Sequence, residues 1–246
     1  AWPTFLQAFS GDLDRQAMKH GTGLRILTQT VTSPTIGHQL QKALEAFPEA
    51  RWHQYEAANR DNVLAGAKLA YGEAVNTYYD FSKADVILSL DANFALQGPG
   101  SIRYAKDFAA GRKKLADGGG MNRLYAVESS PSATGSIADH RLAITTGQLE
   151  AFTLPLAQRL GVALSGGDGV EFDDEGWTDA LARDLMSSRG RSIVIAGDHQ
   201  APEVHALAHA INESLGNVGS TVFHTDPLQP QPERLQPAGQ PRPSDK

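Results

Sequence analysis

The sequence contains no cysteine. That excludes disulfides, thiolate nucleophiles and cysteine-held zinc or iron-sulfur clusters on this chain, so any redox centre working with it lies elsewhere. Positive charge is in the minority, 22 Lys and Arg against 28 Asp and Glu for a net charge of -6. No overall basic field gathers nucleic-acid phosphates, and no nucleic-acid partner is expected. Long apolar runs are missing too: stretches such as Val86-Ile87-Leu88 fall far short of the ~18 residues that span a bilayer. No charged segment followed by an apolar one opens the chain. Ala1-Trp2-Pro3 begins without methionine, which reads as a segment whose targeting signal lies elsewhere.

What is present is an ordinary globular composition, 246 residues with 41% hydrophobic and 20% charged. That length accommodates one large domain or two small lobes. Residues 24–31 carry β-favouring Ile26, Leu27, Thr28, Thr30 and Val31. Ser33-Pro34 then supplies an N-cap followed by proline at the first helical position, and Ile36, Leu40, Ala43, Leu44 and Phe47 recur at helical spacing until Pro48. The alternation continues. Strands are expected at 51–55, 85–90, 123–127, 192–196 and 220–223, and helices at 62–71, 104–115, 149–160, 176–188 and 202–215. Residues 85–90 and 192–196 are nearly continuous apolar sequence, the mark of strands covered on both faces. The fold class is therefore α/β, a mostly parallel, Rossmann-like doubly wound sheet or sheets.

The expected organisation is a lead segment at 1–23, a first α/β lobe at 24–162, a second smaller lobe at 163–226 and an extended Pro/Gln-rich arm or linker at 227–246. The glycine-rich stretch 165–169 marks the lobe boundary. The arm holds Pro227, Pro230, Pro232, Pro237, Pro241 and Pro243 but only Leu228 and Leu235 as large apolar residues, too few to offset ordering.

In doubly wound sheets ligands bind beyond the carboxyl ends of the strands. The residues there are Thr30 to Ser33, Asp91-Ala92-Asn93, Glu128-Ser129-Ser130 and Gly197-Asp198-His199. These types serve equally well as turn and cap residues. No strand-helix junction carries G-x-G-x-x-G or a Walker A lysine, so a simple NAD or ATP enzyme is disfavoured. His205 and His209 have a metal-compatible i, i+4 spacing without a third ligand and are expected at an exposed or rim position. Asp198-His199 could form an acid-base pair, yet no serine in a G-x-S-x-G elbow accompanies it. The acidic run Glu171, Asp173, Asp174 and Glu175 fails calcium-loop spacing and is expected to charge a helix start near Gly176.

One resemblance emerges. Arg25 to Thr28 with Thr32 to Thr35, Phe47 to Tyr55, Asn59 to Asn62, Lys83 to Ala92, Gly98 to Ser101, Met121 to Tyr125, Glu128-Ser129 and Ala138 to Leu142 resemble the molybdopterin-oxidoreductase-like part of the B subunit of bacterial alternative complex III. It covers most of residues 24–225. Relative to catalytic molybdopterin oxidoreductases, a Gly-x-Asn is replaced by Asp91-Ala92-Asn93, an Asp-Pro-Arg by Glu128-Ser129-Ser130, and an Arg-Pro-Gly-Thr-Asp by Thr145-Thr146-Gly147-Gln148-Leu149. The resemblance thus implies a non-catalytic scaffold, with Asn93, Ser129 and Thr146 as vestigial cofactor-binding positions, no catalytic or metal-ligating residue and no cofactor on this chain. It implies iron-sulfur clusters and haems on neighbouring domains or subunits. Its implied partners are an iron-sulfur domain of the same subunit, integral-membrane quinol-binding subunits and cytochrome c subunits on the periplasmic side of the inner membrane. The alternatives are an oxidoreductase domain that still binds a pterin or nucleotide at the strand tips, and a two-lobed small-molecule binding protein.

Overall fold

The computed structural model describes residues 1–114, 116, 118–164 and 176–227. The expected lobe-boundary glycines at 165–169, the acidic run at 171–175 and all but the first residue of the expected arm lie outside the described residues. Two compact units are present, Ala1–Asn59 and Arg60–Asp226. The expected division between 162 and 163 thus falls within the second unit, because strands from both sides of it pair in one sheet.

The first unit opens with α1 (Trp2–Met18), a helix not expected from the sequence, which buries none of its residues. Trp2, Phe5 and Phe9 stack in succession along it, with centroids 5.2 and 5.6 Å apart. Then come β1 (Arg25–Thr28), α2 (Pro34–Ala46) and β2 (Arg51–Gln54). As the sequence implies, the Ser33 side chain caps α2 by accepting from the Ile36 N–H. β1 and β2 pair in parallel, joined by a helix as parallel pairing requires. Trp52, 3% exposed, donates its indole N–H to the Thr28 hydroxyl at 2.9 Å. The opposite side of β1 is bare, with Leu27 72% exposed.

The second unit begins with α3 (Asp61–Tyr71), closed by Gly72 at φ +79°, the left-handed C-terminal position that glycine adopts without strain. Next come β3 (Asn76–Tyr79), β4 (Val86–Leu90), α4 (Ser101–Lys113), β5 (Arg123–Glu128), α5 (Ala133–Ser136), β6 (His140–Ala143), α6 (Leu149–Arg159), α7 (Trp177–Ser187), β7 (Ser192–Ala196), α8 (Pro202–Ser214) and β8 (Val222–Thr225). The central sheet is fully parallel in the order β6-β5-β4-β7. The other expected strand, at 220–223, does not join it: β8 pairs antiparallel with β3.

Side-chain alternation explains why β4 reads as one apolar run. Val86, Leu88 and Leu90 pack on the face covered by α6, α7 and α8, beside Phe152, Leu181 and Ile211. Ile87 points the other way, with Leu124 and Ile193, into a cluster built around Phe81, Phe94 and Phe108. All five residues of β4 and of β7 are buried.

Strand β7 sits at the sheet edge, yet its backbone is satisfied. The Asn212 amide of α8 accepts from the Val194 N–H at 3.0 Å and donates to the Val194 carbonyl at 2.7 Å, imitating a neighbouring strand. Asn217 accepts from the Ser192 hydroxyl and donates to Asn212, while Thr221 donates to the Ser192 carbonyl. The three side chains are fully buried and close an edge otherwise open to strand addition.

Candidate functional site at the strand tips

The chain order of the central strands reverses direction between β4 and β7, so the carboxyl ends of these two strands form the topological switch point where α/β sheets bind ligands. Ser89 fixes the exit of β4: its hydroxyl donates to the Ala92 carbonyl and accepts from the Ala92 N–H. Between them Asp91 takes φ +53°, a left-handed conformation that favours glycine. It is one of two non-glycine residues with positive φ among those described.

The Asp91 carboxylate turns into the crevice. One oxygen, Oδ2, accepts from the Gln200 amide at 3.0 Å and the Ser129 hydroxyl at 3.2 Å, and lies 3.2 Å from His199 Nε2. The first and last of these come from the loop after β7, and Ser129 from the end of β5. Gly197 makes that convergence possible, since a Cβ there would lie 2.2 Å from the Asp91 carbonyl oxygen. Gln200 is 2% exposed, whereas the His199 side chain is 60% exposed. The site is therefore a solvent-facing imidazole on a half-enclosed carboxylate, held by a buried amide.

The remaining polar tips serve the scaffold. Asn93 Oδ1 accepts from the backbone N–H and the hydroxyl of Thr134, tying β4 to α5. Glu128, 3% exposed, accepts from Ser132 and forms an ion pair with Arg141 at 2.6 Å. Asp198 faces Arg60 at 3.2 Å, so His199 finds its carboxylate partner in Asp91 and not in its sequence neighbour. Thr146 is exposed in a short turn where Thr145 and Gln148 cap one another. Of the three expected cofactor positions, Asn93 and Ser129 belong to the network around the β4 exit, and no hydrogen bond links Thr146 to either among the described residues.

His205 and His209 correct the sequence expectation of an exposed or rim position: they are 5% and 4% exposed, on the buried side of α8. Gly66 of α3 lets that helix approach, because a Cβ there would lie 2.3 Å from the His205 Cβ. Burial pushes the His205 pKa down to about 4 and that of His209 down to about 3. Among the described residues no group of three metal-ligating side chains could hold an ion. Gln200 and the hydrogen-bonded Tyr71-His224 pair were not singled out by sequence. Their signal is contact across more than a hundred residues, which no local pattern carries.

The residues at the switch point do not fit a pterin nucleotide. The position that would let a phosphate approach carries a carboxylate, whose like charge opposes it. Gly197 leaves room for the protein's own backbone at Asp91, not for a ligand.

No protein family and no curated protein matches this chain. Among solved structures, it is similar to the formyltransferase/hydrolase complex FhcABCD from Methylorubrum extorquens, solved with methylofuran, at TM-score 0.55 and 18% identity, covering 85% of this chain and 56% of that one. It is also similar to acetylene hydratase from Pelobacter acetylenicus at TM-score 0.58 and 12% identity, covering 90% of this chain and 34% of that one. The chain thus spans about half of the first and a third of the second. At these identities the likeness is one of fold alone, an α/β fold shared with parts of both enzymes.

Proposed function

We propose that this chain is a non-catalytic, molybdopterin-oxidoreductase-like domain that acts as an assembly and docking scaffold in a membrane-associated quinol-oxidising electron-transfer complex. In this reading the electrons travel through iron-sulfur clusters and haems of neighbouring domains and subunits. The partners are an iron-sulfur domain of the same subunit, membrane quinol-binding subunits and cytochrome c subunits on the periplasmic side of the bacterial inner membrane. Among the described residues no helix is long and apolar enough to cross a membrane, so membrane association rests on those partners.

The observation that carries the reading is the Asp91 carboxylate at the switch point. It fills the crevice with the protein's own network of Ser129, His199 and Gln200, in a backbone conformation that glycine would adopt more cheaply. A fold that keeps its sheet while closing its ligand crevice in this way retains its value as a rigid body for docking.

The test is metal analysis, with mass spectrometry of released small molecules, on the chain purified within its native complex. Iron without molybdenum, tungsten or pterin is the expected result. Stoichiometric pterin nucleotide with molybdenum or tungsten would overturn the scaffold reading in favour of a cofactor held near Asn93, Ser129 and Thr146.

A further inference from the structure

Helix α1 buries none of its residues, although its sequence is patterned for burial. Trp2, Phe5, Leu6, Phe9 and Leu13 recur at spacings of three and four, which places them on a single stripe of the helix. Trp2 is 68% exposed, Phe5 51%, Leu6 44% and Phe9 47%, with the three rings stacked one on the next. At roughly 150 to 250 Å² per aromatic side chain, these four residues leave about 400 Å² of apolar surface uncovered. A contiguous patch of that size on a protein surface ordinarily marks a contact site.

The charge pattern restricts what covers it. Residues 1–11 hold no charged side chain, and the one basic residue within α1, Arg15, is paired with Asp12. A helix that lies on a membrane carries Lys and Arg along its polar face, which α1 lacks. A second copy of α1 supplies a matching surface. Laid antiparallel about a two-fold axis at Gln7, the two stripes meet with Phe5 of each copy level with Phe9 of the other, the arrangement in which aromatic rings interleave. Trp2 then lies level with Asp12 of the other copy. Each Asp12 carboxylate therefore stands beside the N-terminal end of the opposite helix, the end that favours negative charge. The two patches together remove about 800 Å² of apolar surface before any flanking polar residue is counted, approaching the ~1,200 Å² at which specific interfaces begin.

We propose that α1 pairs with α1 of a second copy of this chain, antiparallel and two-fold symmetric, through Trp2, Phe5, Leu6 and Phe9. The pairing is independent of the strand-tip network and stands whether or not the scaffold reading does.

Sedimentation equilibrium of the full chain, from low-micromolar to sub-millimolar concentration, tests it. Reversible monomer-dimer exchange is expected. Phe5→Glu and Phe9→Lys each put a charge into the apolar seam and are expected to weaken the dimer at least about tenfold. Neither side chain belongs to a core, so both substitutions leave the fold intact, as circular dichroism checks. Mixed in equal amounts, the Phe5→Glu and Phe9→Lys chains set opposite charges against each other in the antiparallel pair, and association at least about fivefold tighter than for either variant alone is expected. A chain that stays monomeric throughout, a dimer untouched by Phe5→Glu, or variants that gain nothing on mixing would each overturn the proposal. So would a monomeric chain that floats with uncharged phosphatidylcholine vesicles and is released by Phe5→Glu, a result that assigns the stripe to a bilayer.

Discussion

The two polar regions of the second unit differ in how completely they satisfy themselves. At the strand tips Asp91 is matched by Ser129, His199 and Gln200, Asn93 by Thr134, and Glu128 by Ser132 and Arg141, while Arg60 Nε, 3.2 Å from Asp198, is buried without a hydrogen-bond partner. Along the buried face of α8, His205 Nε2 and His209 Nδ1 are buried without partners. The carboxyl ends of the central strands are thus bonded within the protein, while the buried face of α8 keeps two imidazole nitrogens unbonded. Polar residues gathered at strand tips are weak support for binding when they satisfy one another.

Acid should expose this difference most strongly. As the pH falls through 6.5, the unfolded chain protonates its histidines, while folded His205 and His209 stay neutral until about 4 and about 3. Stability is therefore full above pH 6.5 and is lost progressively between about 6.5 and about 3, by on the order of several kcal/mol. Asp80, Asp139 and Asp184, whose carboxyl pKa values are held down by Ser82 and Lys83, by Arg112, and by Tyr125 and Arg123 respectively, add their loss as the pH falls through and below the ordinary carboxylate range. Urea unfolding at stepped pH measures the slope. His209→Phe should flatten it between pH 6 and 4, and an unchanged slope would remove the buried histidines from the account.

The closed crevice should break sterically. Gly197→Ala puts a Cβ 2.2 Å from the Asp91 carbonyl oxygen, and Gly135→Ala puts one 1.8 Å from Glu128 Oε1. Neither neighbour yields freely, since one is backbone and the other is fixed by Ser132 and Arg141. Each substitution is expected to cost about 3 kcal/mol, read from the urea midpoint. Asn212→Leu should cost about 2 kcal/mol by stranding the Val194 N–H and carbonyl, and should promote self-association through the opened β7 edge, visible in sedimentation.

Much of this fold was legible because its central strands are buried on both faces. Nearly continuous apolar runs at Val86 to Leu90 and Ser192 to Ala196 announce themselves, as do the Ser33-Pro34 helix start and the helical spacing of α8. The elements missed lack such periodicity. β3 reads Asn-Thr-Tyr-Tyr and β6 reads His-Arg-Leu-Ala, and their strand conformation comes from partners, β8 and β5. α1 places Trp2, Phe5 and Phe9 at helical spacing without burying them, so no core anchors the pattern. At the strand tips, Asp91 and His199 could be nominated from position alone, but their pairing spans 108 residues and that of Tyr71 with His224 spans 153. Sequence supplied the participants and the sheet order chose the pairs.

The smallest effects separate the two roles Asp91 plays. Its backbone is left-handed and its carboxylate is the hub of the crevice. Asp91→Asn keeps a side chain that tolerates left-handed backbone and an oxygen to accept from Gln200 and Ser129, so stability should move by no more than about 0.5 kcal/mol. Asp91→Ala loses both the acceptor and the residue type suited to that φ, and should cost about 1 to 2 kcal/mol. Asp91→Gly loses the acceptor but relieves the backbone, and should fall between them. Thermal unfolding of the three variants ranks them. If glycine proves as costly as alanine, the carboxylate bonds hold the crevice closed and the left-handed turn is incidental. If glycine matches asparagine, the backbone conformation carries the cost, and the hydrogen bonds of Asp91 are replaced by water once the crevice opens.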